Sequence, residues 1–292
     1  MSEIDDLPGN WGRWGAHDER GTLNLITAEV RASAVTEART GRTVSISRPM
    51  PTSPIVAGPT APLGADSIGV MQAALFTGAA PLAAAELVIM LTHSPEVTHF
   101  DSLVHQIVDG KVYPGIAYEE AGGAGGYRHG STAIFAQGVV TRGVLVDLAA
   151  DAPLPEGYGV TGADLDKACA RAGVEVRSGD ALVVRGGWDY AASRHRRIPG
   201  MTLDAVAWMH RHEVAVYVGD IGDARPPLDP RVPGPLHRVA LARLGMPLID
   251  VADPTDLATA CAEEGRATFL FVAAPPRLGA ASGVPVNPLA IF

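Results

Sequence analysis

Three of the chain's nine histidines, with one aspartate, fall in the thirteen positions from His93 to His105. The stretch reads "LTHSPEVTHFDSLVH", and its last three such residues, His99, Asp101 and His105, are spaced by two and then by four. In an extended segment even spacing puts all three side chains on one face. In a helix Asp101 and His105 still share a face, and His99 points away. Imidazole and carboxylate are donors for Zn, Mn or Fe. Buried together without a cation, such groups repel or need other partners. Hydrogen-bonded polar residues at a strand end are the competing reading, and it suits one histidine better than three beside an aspartate. A divalent cation would lower the pKa of water from about 16 to roughly 7, and a nearby His could move the proton.

The other candidates are weaker. His210 and His212 flank Arg211 at a helix end, where a cationic surface role suits the dipole. His195 lies in the basic loop "SRHRR". His129 follows the glycine-rich "EEAGGAGGY", which lacks the Gly-Lys-Ser/Thr ending of a phosphate cradle. His237 opens an amphipathic helix that leads to Asp250, so the two share a cleft only if the chain turns back. No G-x-S-x-G elbow is present, which disfavours a serine hydrolase. Cys169 and Cys261, the only cysteines, sit in alanine-rich helical stretches and read as small packing residues, which argues against a thiolate zinc site. Arg185 and Trp188 follow a buried strand and read as packing plus a surface ion pair.

The elements that must hold these residues read as an α/β chain. Residues 139–149 form a β-branched strand with an expected bulge at Gly143. Strands are also expected over 180–187, 213–220 and 267–274, and "ELVIML" leads as a strand into the His-rich segment. A helix from Thr161, with Asp164 completing a capping box, stops at Gly173. A second helix spans 202–212. A third has Asp253 as N-cap, Pro254 at its first position and Gly265 as stop. Residues 1–50 read as an N-terminal arm with one helix ending at Gly41, and 51–292 as a single catalytic domain. Residues 51–80 read as loop with short extended pieces, and the glycine-rich 121–130 stretch as a solvated linker. With 47% apolar and 19% charged residues the chain folds as an ordinary enzyme would. A net charge of -9 repels nucleic acid and anionic membrane. The apolar 71–91 run is broken by Pro81, Glu86 and His93, so no span is expected, and with no signal peptide visible the expected location is cytoplasmic.

The ordered set of segments resembles the cyclase family of metal-dependent hydrolases, which includes bacterial kynurenine formamidase and isatin hydrolase. That family's motif, His-x-Gly-Thr-His-x-Asp-x-Pro-x-His, is matched here at Thr98, His99, Asp101 and His105. The longer branch is also similar at "NWGRWGAHDERGTLNLIT", "DGKVYPG", "TRGVLVDLA", "GVEVRSGDALVVRGGW", "PLHRVALARLGMPLID" and the C-terminal "FLFVAAPPRLGAASGVPVNPLAIF". The resemblance implies a swivelling β/β/α fold with a β-barrel-like core and flanking helices. It implies a Zn or Mn site on His99 and Asp101, with His105 as base or proton shuttle, and with His237 and Asp250 completing the site. Pro95 stands where the motif has its first His, and His93 is the candidate substitute. Asp250 stands where formamidases usually carry Glu, one methylene longer. The implied activity is hydrolysis of an amide, formamide, lactam or related carbonyl compound, by a homo-oligomer (dimer or tetramer) acting on a small molecule. A metal-dependent lyase or cyclase, or a non-catalytic ligand-binding relative, are the alternatives.

Overall fold

The computed structural model describes residues 7–50, 52–54, 69–78, 80, 82–189, 192–193 and 195–292. Its centre is a curled, half-barrel sheet of nine strands. In spatial order these are Thr43–Ser45, Leu289–Ile291, Thr268–Ala273, Val139–Asp147, Ala181–Arg185, Val216–Gly219, Leu248–Asp250, His99–Asp101 and Gly283–Pro285. The four strands from Val139–Asp147 to Leu248–Asp250 run parallel, and His99–Asp101 is antiparallel to both of its neighbours. Parallel strands buried on both faces require unbroken apolar runs, which "ALVVR" and "VYVG" supply.

The two-residue period of a strand sorts those runs into two cores. Val144, Val146, Leu182, Val184, Tyr217 and Leu248 face one side, packed by Leu165, Ala168, Val206, Met209, Leu236 and Leu241 of three helices. Leu145, Val183, Val216, Val218, Ile249, Phe269 and Phe271 face the other, packed by Leu257, Ala260 and Cys261 and by Leu23, Ile26 and Val44 of the N-terminal segment. Both cysteines are buried and free.

Gly143 makes no bulge. Its strand pairs in regular register on both sides, and a Cβ at Gly143 would lie 2.1 Å from the Phe269 ring. The glycine makes room for an aromatic side chain from the neighbouring strand, a packing demand with the same sequence signature as a bulge.

The helix Gly162–Ala172 carries the full Thr161–Asp164 capping box and ends on left-handed Gly173. Leu203–Arg211 begins at Thr202, whose side chain accepts from the Ala205 N–H. Thr255–Glu264 begins one residue later than expected: Pro254 is the cap, and Asp253 accepts from the Thr255 N–H. The first helix, Ala28–Val35, stops short of Gly41, because the Thr36 hydroxyl and N–H fold back onto the Ser33 and Ala34 carbonyls. Residues 236–244, expected as an ordinary helix, form a π-helix, Leu236–Leu244. Such wide turns are rare and cluster at functional sites. Gly245 ends it at φ +67°, where a Cβ would lie 2.6 Å from the Tyr113 ring. Only glycine fits there, and the reversal sends the chain into Leu248–Asp250.

Residues 7–50 are stitched to the main body. Asn10 Nδ2 donates to the Leu244 carbonyl, Trp11 Nε1 to Ala242, and the Tyr113 hydroxyl to Asp18. Val70–Thr77 and Ala83–Met90 form an antiparallel hairpin, so the last part of the stretch expected as loop is strand. The loop expectation over 55–68 lies outside the described residues. The distal part of the hairpin is exposed and mostly apolar, with Phe76 64% and Leu82, at its turn, 88% accessible. No described helix is long and apolar enough to cross a membrane.

Candidate functional site

The chain's acidic and imidazole groups converge where parallel strands end. Asp250 closes the strand Leu248–Asp250, and Asp220 follows Val216–Gly219. His99 pairs directly with Asp250, and Asp101 with Leu248, so the antiparallel strand delivers both motif residues beside Asp250. Carboxyl ends of parallel strands are the usual place for ligands in such sheets. Here they open into a cavity of about 840 Å³, within the range of small-molecule sites. His93, His99, Asp101, His105, Asp220, Asp223, Arg225, His237, Arg238 and Asp250 all reach its wall.

His99 and Asp101 extend from one strand, as their spacing predicts. His105 arrives differently: a turn closed by its N–H on the Ser102 carbonyl swings it back, so it does not ride an extended segment. His93 enters from the end of the exposed hairpin and fits because Gly283 lacks a side chain; a Cβ there would lie 2.5 Å from the His93 ring. His93 thus occupies the region that Pro95 leaves without a ligand. His237, on the first turn of the π-helix, and Asp250, after the Gly245 reversal, meet at 3.3 Å (Nε2 to Oδ2), so the shorter carboxylate does reach.

Asp101 is the centre. Its Oδ1 lies 2.9 Å from His93 Nδ1, 3.4 Å from His99 Nε2 and 3.9 Å from His105 Nε2; its Oδ2 lies 3.5 Å from His237 Nε2. None of these approaches has hydrogen-bond geometry. Among the described residues both Asp101 oxygens, and Asp250 Oδ1, are buried without a hydrogen-bond partner. The far nitrogens explain the arrangement. His99 Nδ1 donates to the Val97 carbonyl at 2.7 Å, His237 Nδ1 donates to Asp223 Oδ2 at 2.7 Å, and His93 Nε2 hydrogen-bonds with Ser282 Oγ at 3.2 Å. An imidazole whose only proton is held behind it presents a lone pair in front. Lone pairs facing carboxylate oxygens repel unless a proton or cation lies between them. Among the described residues two sets of donor atoms are compact enough to hold a metal ion: His93, Asp101 and His105; and Asp101, His237 and Asp250. Imidazole and carboxylate without thiolate fit Zn or Mn. His99 belongs to neither set, although its Nε2 points at Asp101.

The electrostatics follow from this crowding. Burial by itself would raise Asp101, but His237, His93 and His99 outweigh it and hold the carboxyl well below the usual range. Burial would lower His237, yet Asp250, Asp101 and Asp223 raise it well above an ordinary imidazole. His105 goes the other way: burial pushes it down to about 4, so its ring is neutral at pH 7. Among the described residues the His105 ring nitrogens form no hydrogen bond, and the ring stacks on His93 at 4.0 Å between centroids.

Four residues of the wall escaped the sequence reading. Asp223 holds His237 from behind and also accepts the Leu236 and His237 N–H groups. Asp220 accepts three backbone N–H bonds, from Gly186, Gly187 and Trp188, at 2.6–3.1 Å. Arg225 and Arg238 add two guanidinium groups. The one available signal was "GDIGDARP" directly after a buried strand, two acids where a parallel strand ends. His195, read as an exposed loop residue, is exposed and also touches the rim. His129 donates to the Tyr113 carbonyl, His210 meets Asn10, and His212 stacks on Trp208, all outside the cavity. Arg185 pairs with Asp147 and Trp188 Nε1 donates to Leu154, which leaves both out of the site.

Val251, beside Asp250, has φ +58°, a costly conformation for a β-branched residue. The Thr98 hydroxyl donates to its carbonyl at 2.6 Å and accepts from the Arg48 N–H, tying the two site strands together at the motif's threonine.

Residues 43–224 match a family model described as "Putative cyclase". A crystal structure described as a novel cyclase is 28% identical, with a TM-score of 0.82 over 97% of this chain and 99% of that one. Isatin hydrolase A from Labrenzia aggregata shares the fold at 20% identity, with a TM-score of 0.63 over 92% and 98% of the two chains. A structure described as a predicted metal-dependent hydrolase from Bacillus stearothermophilus shares it at 14% identity and a TM-score of 0.51, over 85% and 97%. Among curated proteins none matches. With the family model covering more than half of the sequence and the motif histidines gathered around Asp101, the chain belongs to the cyclase family.

Proposed function

We propose that the chain is a metal-dependent hydrolase that cleaves the C–N bond of an amide, formamide, lactam or related carbonyl compound. The carrying observation is Asp101, a fully buried carboxylate whose two oxygens lack hydrogen bonds while anchored imidazoles face them. Asp101 would hold a divalent ion with His93, or with His237 and Asp250; His99 Nε2 is a further donor at the same carboxylate. When bound, such an ion polarises a carbonyl oxygen and acidifies water. The likeness to isatin hydrolase, whose name denotes hydrolysis of isatin, supports this class through the shared fold.

The chain's own residues do the rest. Among the described residues His105 is the imidazole of the cluster with no anchoring hydrogen bond, and it is neutral at pH 7. It is therefore free to accept the proton of an attacking water and to return it to the departing nitrogen. Positioned proton transfer of this kind contributes about 10²–10⁴-fold. Asp223 fixes the His237 tautomer, and Ser282 and the Val97 carbonyl fix His93 and His99, so the donors need no reorganisation.

Two measurements together test this reading. Elemental analysis of purified, metal-loaded protein is expected to give at least one divalent ion per chain. Turnover of an amide or lactam panel in ¹⁸O-labelled water is expected to place label in the new carboxylate. Substoichiometric metal, or product free of label as an elimination would give, overturns it.

A further inference from the structure

We infer that the substrate bears a carboxylate and that Arg238 receives it; this deepens the hydrolase reading and rests on it. The cavity wall holds four carboxylates and two guanidiniums. Every carboxylate is faced by imidazole or N–H groups, although among the described residues the Asp101 oxygens and Asp250 Oδ1 accept no hydrogen bond. Asp101 and Asp250 face imidazoles, Asp220 is met by three backbone N–H groups, and Asp223 holds His237. Arg238 is half-buried in the same wall, and among the described residues its side chain has no hydrogen bond, ion pair or ring contact.

The contrast with other arginines gives this weight. Arg48 pairs with Asp189, Arg142 with Asp180, Arg185 with Asp147 and Arg266 with Glu37. A chain with 32 acidic residues and a net charge of -9 can readily supply a partner for a partly dehydrated guanidinium. Among the described residues Arg238 has none, and it lines the cavity. The planar fork of a guanidinium fits a carboxylate through two parallel N–H bonds. Arg238 follows His237 in the first turn of the π-helix, so an anion held there lies beside the candidate metal donors. Arg225 lies on the same wall. One guanidinium without a glycine-rich cradle suits a monoanion better than a phosphate, which recruits clustered backbone N–H groups. The substrate class that follows is an amide, formamide or lactam that also carries a carboxylate.

Benzoate and neutral benzamide, of nearly equal size, separate the anion from the ring. Calorimetric titration of wild-type, Arg238→Gln and Arg238→Lys proteins, each metal-loaded and chelator-treated, reads the effect. Benzoate is expected to bind wild type more tightly than benzamide. Arg238→Gln is expected to weaken benzoate by about tenfold or more while benzamide and metal content stay unchanged. Arg238→Lys, which keeps the charge and loses the fork, is expected to fall between. Benzoate affinity equal in wild type and Arg238→Gln, or no preference for benzoate in wild type, overturns the assignment. A wild-type protein that fails to take up metal counts against the hydrolase reading alone, because the chelator-treated titrations report on Arg238 independently.

Discussion

Asp223→Asn preserves the shape of the site and changes one acceptor into a donor. In the native chain Asp223 Oδ2 accepts from His237 Nδ1 at 2.7 Å and from the His237 N–H at 3.2 Å, while Oδ1 accepts from the Leu236 N–H at 2.8 Å. All three partners are donors, and an amide offers one oxygen and one NH₂. If the NH₂ faces His237, the ring must accept at Nδ1 and carry its proton at Nε2, which removes the lone pair aimed at Asp101 and Asp250. If it turns the other way, donor meets donor at Leu236, at a cost of about 1–3 kcal/mol. Partners of this kind behind a metal-binding imidazole are worth about 10–100-fold in metal affinity, or roughly 1.4–2.8 kcal/mol. The assay is competition for Zn²⁺ or Mn²⁺ against a chromogenic chelator, with circular dichroism to confirm the fold. Affinity unchanged in a folded Asp223→Asn protein would show that His237 is not a metal donor, and the second donor set would have to be abandoned.

Three further outcomes follow from the geometry. Burial pushes Asp220 up to about 6 against the pull of its three N–H donors, so the native state keeps a proton that the unfolded state releases between about pH 4 and 6. Stability contributed at this site therefore falls as pH rises through that window, and the unfolding free energy of Asp220→Asn relative to wild type, both chelator-treated, is expected to grow by up to about 3 kcal/mol between pH 4 and 7; a flat difference refutes the shift. Gly143→Ala puts a Cβ 2.1 Å from the Phe269 ring in a fully buried place, and urea unfolding is expected to show a loss of about 1–3 kcal/mol with unchanged m-value. The hairpin exposes Leu75, Phe76, Leu87 and Val88, contiguous exposed apolar surface of this kind marks interaction sites, and we expect sedimentation to report a homo-oligomer that Phe76→Glu with Val88→Glu dissociates.

Much of this protein is legible in its sequence, wherever the physics is local. The two-residue period of "VLV" and "LVV" splits the sheet residues into two cores because adjacent strand side chains must point to opposite faces. Thr161, Asp164 and Gly173 bound their helix because capping groups act within one turn. His99 and Asp101 both reach the cavity because two residues along a strand share a face.

Tertiary structure decided what no spacing encodes. Gly143 reads as a bulge until the Phe269 ring is seen lying against it, because the reason for that glycine is on another strand. His105 meets Asp101 through a turn, and His93 is admitted by the missing side chain of Gly283. Asp220, Asp223 and Arg238 enter the site because the parallel strands deliver their ends to one rim and the π-helix sets His237 and Arg238 against it. Local periodicity fixes which face a residue takes. Which distant residue it will meet depends on strand order and on where the chain reverses, as at Gly245, and those are properties of the whole packed sheet.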